Sequence, residues 1–327
     1  MFIAIECSFA KKWYPVVVGQ TYAVQGSSKK RARVIMPLAL ELFFNCSKQK
    51  MMYSPKDYWA DLADQYDSDA SGFAPILHPR APSWFNDAID NLQYHALRRA
   101  LAIAGLSPGA RLLDVGCGTG RWVRRYSELG FSPVGVDATM GMLRVARAHQ
   151  TTCPLTVGVA HNLPFFDAVF DCVSDITVVQ HIPYELQPKA LQEMVRVLRP
   201  GGRMILLELI RGQDSHIFPR RPQGWICEVE SCGATLLECF GQEFFLLDRL
   251  FVRLAHAVAG RQDNHTDKTQ SASAASSSQK LSASRRVYWQ LRRITVSFSA
   301  WTEPVIAKLC PLSTATHAVF VFRKNSK

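Results

Sequence analysis

The chain has 327 residues, 48% of them apolar, with 38 Lys and Arg against 27 Asp and Glu. That length accommodates one large domain or two small ones, and the apolar fraction excludes a wholly disordered chain. No run reaches the roughly 18 consecutive apolar residues that a membrane-spanning helix needs. The best, Val34 to Phe44, is interrupted by Pro37 and Glu41, and it starts too deep in the chain for an ordinary cleaved leader.

The net charge of +11 invites a nucleic-acid partner, because basic surfaces release counterions from phosphate backbones. Its distribution argues otherwise. Residues 1–50 hold 8 basic against 2 acidic residues, 51–258 hold 19 against 22, and 259–327 hold 11 against 3. The middle of the chain is mildly acidic, so the excess describes solubility and loose attraction to anionic surfaces rather than a specific nucleic-acid site. Nine cysteines without a C-x-x-C pair signal neither a disulfide framework nor a zinc site, and no metal is expected. The expected compartment is reducing and cytoplasmic.

Residues 1–50 lack a clean period and are read as a poorly ordered extension, or as sequence upstream of a true start at Met51 or Met52. Ser54-Pro55 then reads as a helix opening, with Ser at the N-cap and Pro at the first helical position. Residues 51–104 are expected to form a helical cap, with Tyr58, Trp59 and Tyr66 either closing over a ligand or packing on the sheet. From about residue 107 a βα rhythm sets in. Strands are expected at 110–115, 133–136, 155–159, 169–174 and 203–208, with helices at 121–129, 141–148 and 185–198 between them. The last helix is expected to stop at Arg199-Pro200-Gly201-Gly202. This alternation implies an α/β fold with an open, doubly wound sheet over a core domain at 105–242. A long insertion at 243–309 follows. Its first part, Phe244 to Leu254, has helical period with a broad apolar face, which suits a lid, a membrane-surface contact or a helix packed on the core. Residues 261–286, rich in Ser, Ala and Gln, are expected to be a disordered linker. Residues 310–327 supply a final strand at His317–Phe322.

The informative stretch is Leu112-Leu113-Asp114-Val115-Gly116-Cys117-Gly118-Thr119-Gly120-Arg121. Glycines between a strand and a helix let the backbone turn sharply and approach a ligand, and the helix N-terminus favours an anionic group. A dinucleotide-binding turn, G-x-G-x-x-G, would need glycine where Arg121 stands, and a P-loop ending in Gly-Lys-Ser/Thr is absent. The acidic-x-G-x-G-x-G pattern resembles the first motif of class I S-adenosylmethionine-dependent methyltransferases. Val134-Gly135-Val136-Asp137, Asn162-Leu163-Pro164-Phe165, Phe170-Asp171-Cys172-Val173 and Arg196 to Gly202 are similar to that family's later motifs, in order and spacing. The subgroup it resembles most is the small-molecule, type 11-like one.

The resemblance implies a seven-stranded, mostly parallel, Rossmann-like sheet with an antiparallel last strand and a helical insertion before it. It implies S-adenosyl-L-methionine as cofactor and a small-molecule acceptor, at an O, N or C atom the sequence does not fix. Cofactor contacts are then expected from Asp114, Gly116, Cys117, Gly118 and Gly120 in the turn, and from Asp137 on the ribose with Ala138 and Met142 near the adenine. Ala160, His161, Asn162 and Ser174 complete the implied set. Where the family often has an acidic residue near the adenine amino group this chain has Val159, and a backbone carbonyl or His161 is the expected substitute. At the end of the fourth strand His181 is the candidate general base, its ordinary pKa near 6.5 suiting proton transfer, or else a packing residue. Asp175 is the candidate to orient substrate or base, and Glu208 is either a substrate contact or a solvated rim residue. Two alternatives stay open: an RNA or protein methyltransferase using the basic tails, and a non-catalytic cofactor-binding scaffold.

Overall fold

The computed structural model describes residues 53–65, 81–212, 216–259 and 283–326, with the side chains of 255–259 and 283–286 left aside. The 1–50 extension, Tyr66 and most of the 261–286 linker lie outside the described residues.

Helix α1 (Pro55–Gln65) opens as its sequence dictates. The Ser54 carbonyl accepts the Tyr58 N–H at 3.0 Å, and Pro55 occupies the first helical position, where no N–H is needed. Helix α2 (Ser83–Ala104) ends at Gly105, whose φ of 63° closes the last turn. The βα rhythm then produces β1 (Arg111–Val115), α3 (Arg121–Glu128), β2 (Ser132–Asp137), α4 (Met140–Ala148), β3 (Leu155–Val157) and β4 (Phe170–Ile176). After a short 3-10 turn (Val179–His181) come α5 (Gln187–Val197), β5 (Leu198–Leu209), α6 (Pro222–Ser231) and β6 (Ala234–Gln242). The insertion contributes α7 (Leu246–Ala259) and α8 (Ala283–Leu309), and β7 (His317–Lys324) closes the chain.

The seven strands lie in the order β3-β2-β1-β4-β5-β7-β6, with β7 antiparallel to both neighbours and every other pairing parallel. Because the sheet is covered on both faces, its strands are apolar on consecutive residues. Leu112, Cys172, Ile205, Val319 and Val321 meet α2 on one face. Their neighbours Leu113, Val173, Met204, Phe320 and Phe322 meet α5 and α6 on the other, around the fully buried Trp225.

Several expected boundaries moved. The third strand stops at Val157, because Val159 turns back to pair with Asn162. The fifth strand begins at Leu198, before the Pro-Gly pair, and reaches the ladder of β4 through a register shift between Phe170 and Cys172. The seventh strand that the resemblance implies, for which no position is expected above, is β6; its alternation is masked by partly buried residues on both faces. Residues 283–286, expected in the linker, belong to the first turn of α8. That helix packs on α2 through Val296, which joins Phe85, Ile89, Leu92 and Phe245 in a separate apolar cluster. Arg292 also grips the buried Asp248 of α7. Among the described residues no helix is long and apolar enough to cross a membrane.

Candidate functional site

The carboxyl ends of β1, β2 and β4 open onto one cavity. Its floor is the turn Gly116-Cys117-Gly118, and one side is Asp137, Ala138 and Met142. Gly158, Val159, Ala160 and His161 form a second side. Thr177, Val178, His181, Ile182 and Leu186 form the wall opposite, and Ser54, Pro55, Lys56 and Trp59 bring α1 across the top. Gly116 sits at φ 65°, and a Cβ there would meet the Val178 methyls at 2.5 Å, so both conformation and space require glycine.

Asp137 is buried but lines the cavity. Its Oδ1 accepts the Thr139 N–H at 2.9 Å and the Thr139 hydroxyl at 3.0 Å, and its Oδ2 accepts only the Gly118 N–H at 2.9 Å. A lone pair on Oδ2 is therefore left for a hydroxyl in the cavity. Burial pushes this carboxyl above its ordinary range, opposed by those hydrogen bonds. Cys117 lines the cavity too, and burial holds its thiol protonated, so it is a small wall residue and not a nucleophile.

Of the remaining expected cofactor residues, Ala138, Met142, Ala160, His161 and Gly118 line the cavity, while Asp114, Gly120, Asn162 and Ser174 do not. Gly120 serves the turn into α3, where a Cβ would strike the Thr151 hydroxyl at 2.5 Å. Asn162 closes the loop by donating its N–H to the Val159 carbonyl at 3.0 Å. Ser174 and Asp114 form a buried relay behind the glycine turn. The Tyr126 hydroxyl donates to Ser174 Oγ, and Ser174 donates to Asp114 Oδ1, both at 2.8 Å. Asp114 Oδ2 has no partner, and burial raises this carboxyl to about 7.

Arg121 is a site residue that the sequence reading passed over, having used it only to reject a dinucleotide motif. It lines the cavity, is 6% exposed, and spends two nitrogens on α2: Nη1 on Asp90 at 2.7 Å and Nη2 on Gln93 at 3.0 Å. Its Nε–H and the indole N–H of neighbouring Trp122 are buried without partners. A signal was present. A cation in the first turn of a helix opposes the macrodipole and needs some other reason to be there.

The candidate catalytic pair behaves differently from expectation. Asp175 is 0% exposed and lies behind the wall. Its Oδ1 accepts the Val178 N–H at 3.1 Å, so it holds the loop and does not reach the cavity. Glu208 is likewise 0% exposed, neither a rim residue nor a substrate contact; it accepts the N–H groups of Val178, Val179 and Gln180 at 2.9–3.1 Å. Burial of two adjoining carboxyls pushes both upward. Glu208 is pushed well above the ordinary carboxylate range by burial and then by the adjoining Asp175, and burial raises Asp175 to about 7.

His181 does line the cavity. Burial lowers its pKa to about 4, so the ring is neutral at pH 7. A carbonyl can only accept, so Nδ1 carries the proton and donates to the His216 carbonyl at 3.1 Å. Gln180 Oε1 accepts the Leu209 N–H at 2.7 Å, which turns the amide nitrogen toward His181 Nε2 at 3.3 Å. The lone pair that a general base would use is thus already shared. The ring stacks on His216 at 5.5 Å, and Trp59 meets it edge-on at 5.0 Å.

Residues 113–206 match the family model described as a methyltransferase domain. This region is a class I, S-adenosylmethionine-dependent methyltransferase domain. The match sits where the glycine turn, Asp137 and the loop after β4 are found. The domain is 36% identical over 124 residues to a demethylmenaquinone methyltransferase of Renibacterium salmoninarum, covering 38% of this chain and 52% of that protein. It is 38% identical over 126 residues to a malonyl-[acyl-carrier protein] O-methyltransferase of Serratia marcescens, covering 38% and 49%. The chain thus spans about half the length of these curated relatives. A chain of the solved complex between the Haloferax volcanii Trm112 methyltransferase activator and a methyltransferase shares the fold. It has a TM-score of 0.51 at 16% identity, over 81% of this chain and 98% of that one.

Proposed function

We propose that the whole chain is an S-adenosylmethionine-dependent methyltransferase acting on a small-molecule acceptor. The observation that carries this reading is one cavity lined by the glycine turn, Asp137, Arg121 and Trp122, the last two each with a buried N–H group that has no partner. Those donors fit a carboxylate, and the free lone pair of Asp137 fits a ribose hydroxyl. The cofactor would therefore lie with its amino-acid end at Arg121 and Trp122, its ribose on Asp137, and its base between Met142 and residues 158–161. Asp114 and Ser174 support the turn from behind. When bound, the cofactor supplies a methyl group already activated by its sulfonium charge.

What the chain must then add is alignment and exclusion of water. Thr177, Val178, Ile182, Leu186 and Trp59 offer a mostly apolar wall, which suits a small apolar acceptor, with Lys56 as the charged group nearby. In this reading His181 is a neutral positioning residue and Asp175 fixes the loop that carries it. The names of the matched relatives support a small acceptor but do not fix its atom. The proposed organisation is a cap at 51–104, a core at 105–242 completed by 310–327, and the insertion between. The seven described cysteines are all free thiols, which supports a cytoplasmic setting.

Calorimetric titration of the full chain with S-adenosylmethionine tests the proposal. One site per chain is expected, with affinity falling roughly 30- to 100-fold in Asp137→Ala for the loss of charge-assisted hydrogen bonds. No heat of binding in the wild type would overturn it.

A further inference from the structure

The outward side of the insertion is unusual. Along α8 the residues opposite the buried Val296 are Val287, Leu291, Ile294, Phe298, Trp301, Val305 and Leu309, spaced by threes and fours. All are exposed, Ile294 by 66% and Trp301 and Leu309 by 77% each. The stripe runs about 33 Å at 1.5 Å per residue. On the adjoining α7, Leu247, Leu250 and Leu254 are exposed as well, by 45–59%. An uninterrupted apolar strip of this kind marks a contact surface.

The charges beside it decide the partner. The acids of these two helices are Asp248 and Glu303, and both are buried. Asp248 is held by Arg292, and Glu303 accepts the N–H groups of Glu243 and Phe244. Among the described residues the exposed charges of these helices are Arg253, Arg293 and Lys308, all positive. A second copy would bring only like charge to the rim of a coiled-coil contact, whereas an anionic headgroup layer brings the opposite charge. Apolar residues with an exposed tryptophan, bordered by cations alone, suit the boundary between headgroups and acyl chains. The insertion also leaves the sheet at Gln242 and re-enters at His317, a pair in register next to Leu209 at the carboxyl end of β5. That is the sheet edge onto which the cavity opens.

We propose that the outward face of α7 and α8 is a lipid-contact surface that seats this chain on an anionic bilayer interface. The full chain, sedimented with vesicles of phosphatidylcholine alone or mixed with phosphatidylglycerol, is expected to bind the mixed vesicles and to be released by salt. Arg293→Glu with Lys308→Glu should lower partitioning onto mixed vesicles at least tenfold. Ile294→Asp with Trp301→Asp should lower it by at least as much on either lipid. All four side chains face solvent, so these variants should fold, and the wild-type sedimentation stands as a test without them. Wild-type protein left in the supernatant with both vesicle types would overturn the proposal. So would light scattering that shows a dimer which Ile294→Asp splits, with no vesicle binding.

Discussion

The two walls of the cavity are built on different principles. The cofactor side is made largely of backbone and short local segments: a glycine turn at the end of β1, a carboxylate on the adjacent strand β2 that accepts the turn's Gly118 N–H, and the loop at 158–161. The opposite side is made of side chains gathered from distant segments. Trp59 comes from α1, His181 from the loop after β4, and His216 from beyond β5, and they meet through ring contacts of 5.0 and 5.5 Å and the hydrogen bond from His181 to the His216 carbonyl. Backbone sites are written in local spacing, because turns and helix starts need particular residues at particular steps. Side-chain clusters have no such grammar.

The comparison is broken most forcefully where the backbone side leans on a side chain. Asp90 bridges Arg121 and Arg125 from α2, with the side chains of Asp90 and Arg121 only 7% and 6% exposed. Asp90→Ala leaves Arg121 charged and buried with only Gln93 as partner. A loss of about 3–5 kcal/mol in urea unfolding is expected, together with weakened cofactor binding. Arg121→Met in the same chain should restore part of the stability but not the binding. Full stability in the single variant would show that the glycine turn needs no support from α2.

A smaller effect sharpens the account of the opposite wall. Asp175 is raised to about 7 in the folded chain, above its unfolded value, so the native state holds a proton that the unfolded state releases. Its contribution to stability is complete below the unfolded pKa and is lost as pH rises through the folded one. Between about pH 6 and pH 8 this amounts to roughly 1 kcal/mol, a slope that Asp175→Asn should remove from the pH dependence of unfolding. An unchanged slope in the variant would refute the protonated-pair description of Asp175 and Glu208.

The smallest effect separates a base from a positioning residue. With its pKa lowered to about 4 and its lone pair shared, His181 should add no inflection near pH 6.5 to kcat, once an acceptor is known. His181→Asn is expected to reduce kcat by less than about threefold while raising KM, since a base would contribute 10²–10⁴-fold. An acidic limb in kcat that disappears in the variant would restore the base assignment.

What the residues disclosed follows the same division. The order of β1 to β5, the turn at Gly116–Gly120 and the acid at Asp137 were readable, because each depends on a short run of neighbours. Strand β6 escaped because it lies at an edge, where half-buried residues blur the period of two. Asp175 and Glu208 looked like functional carboxylates, since a sequence shows an acid at a strand end but not the three amides that occupy it. Arg121 was visible as an exception, a cation where the helix dipole disfavours one, and the reason for it lay 31 residues away at Asp90.

The loop at 178–182 has a consequence for how the specificity of such a site changes over generations. Its amides are held by Glu208, and its carbonyls at Val179 and Ile182 are taken by the Gln187 amide. The frame cannot reshape itself around a new guest without uncovering buried polar groups. Of the side chains around it, Val178 packs against Gly116 and Ile182 is buried in the core, whereas Leu186 just beyond the loop and Trp59 and Lys56 across from it carry none of that framework. New acceptors are therefore reached by exchanging fittings on a fixed bracket, one side chain at a time, while the cofactor half stays untouched.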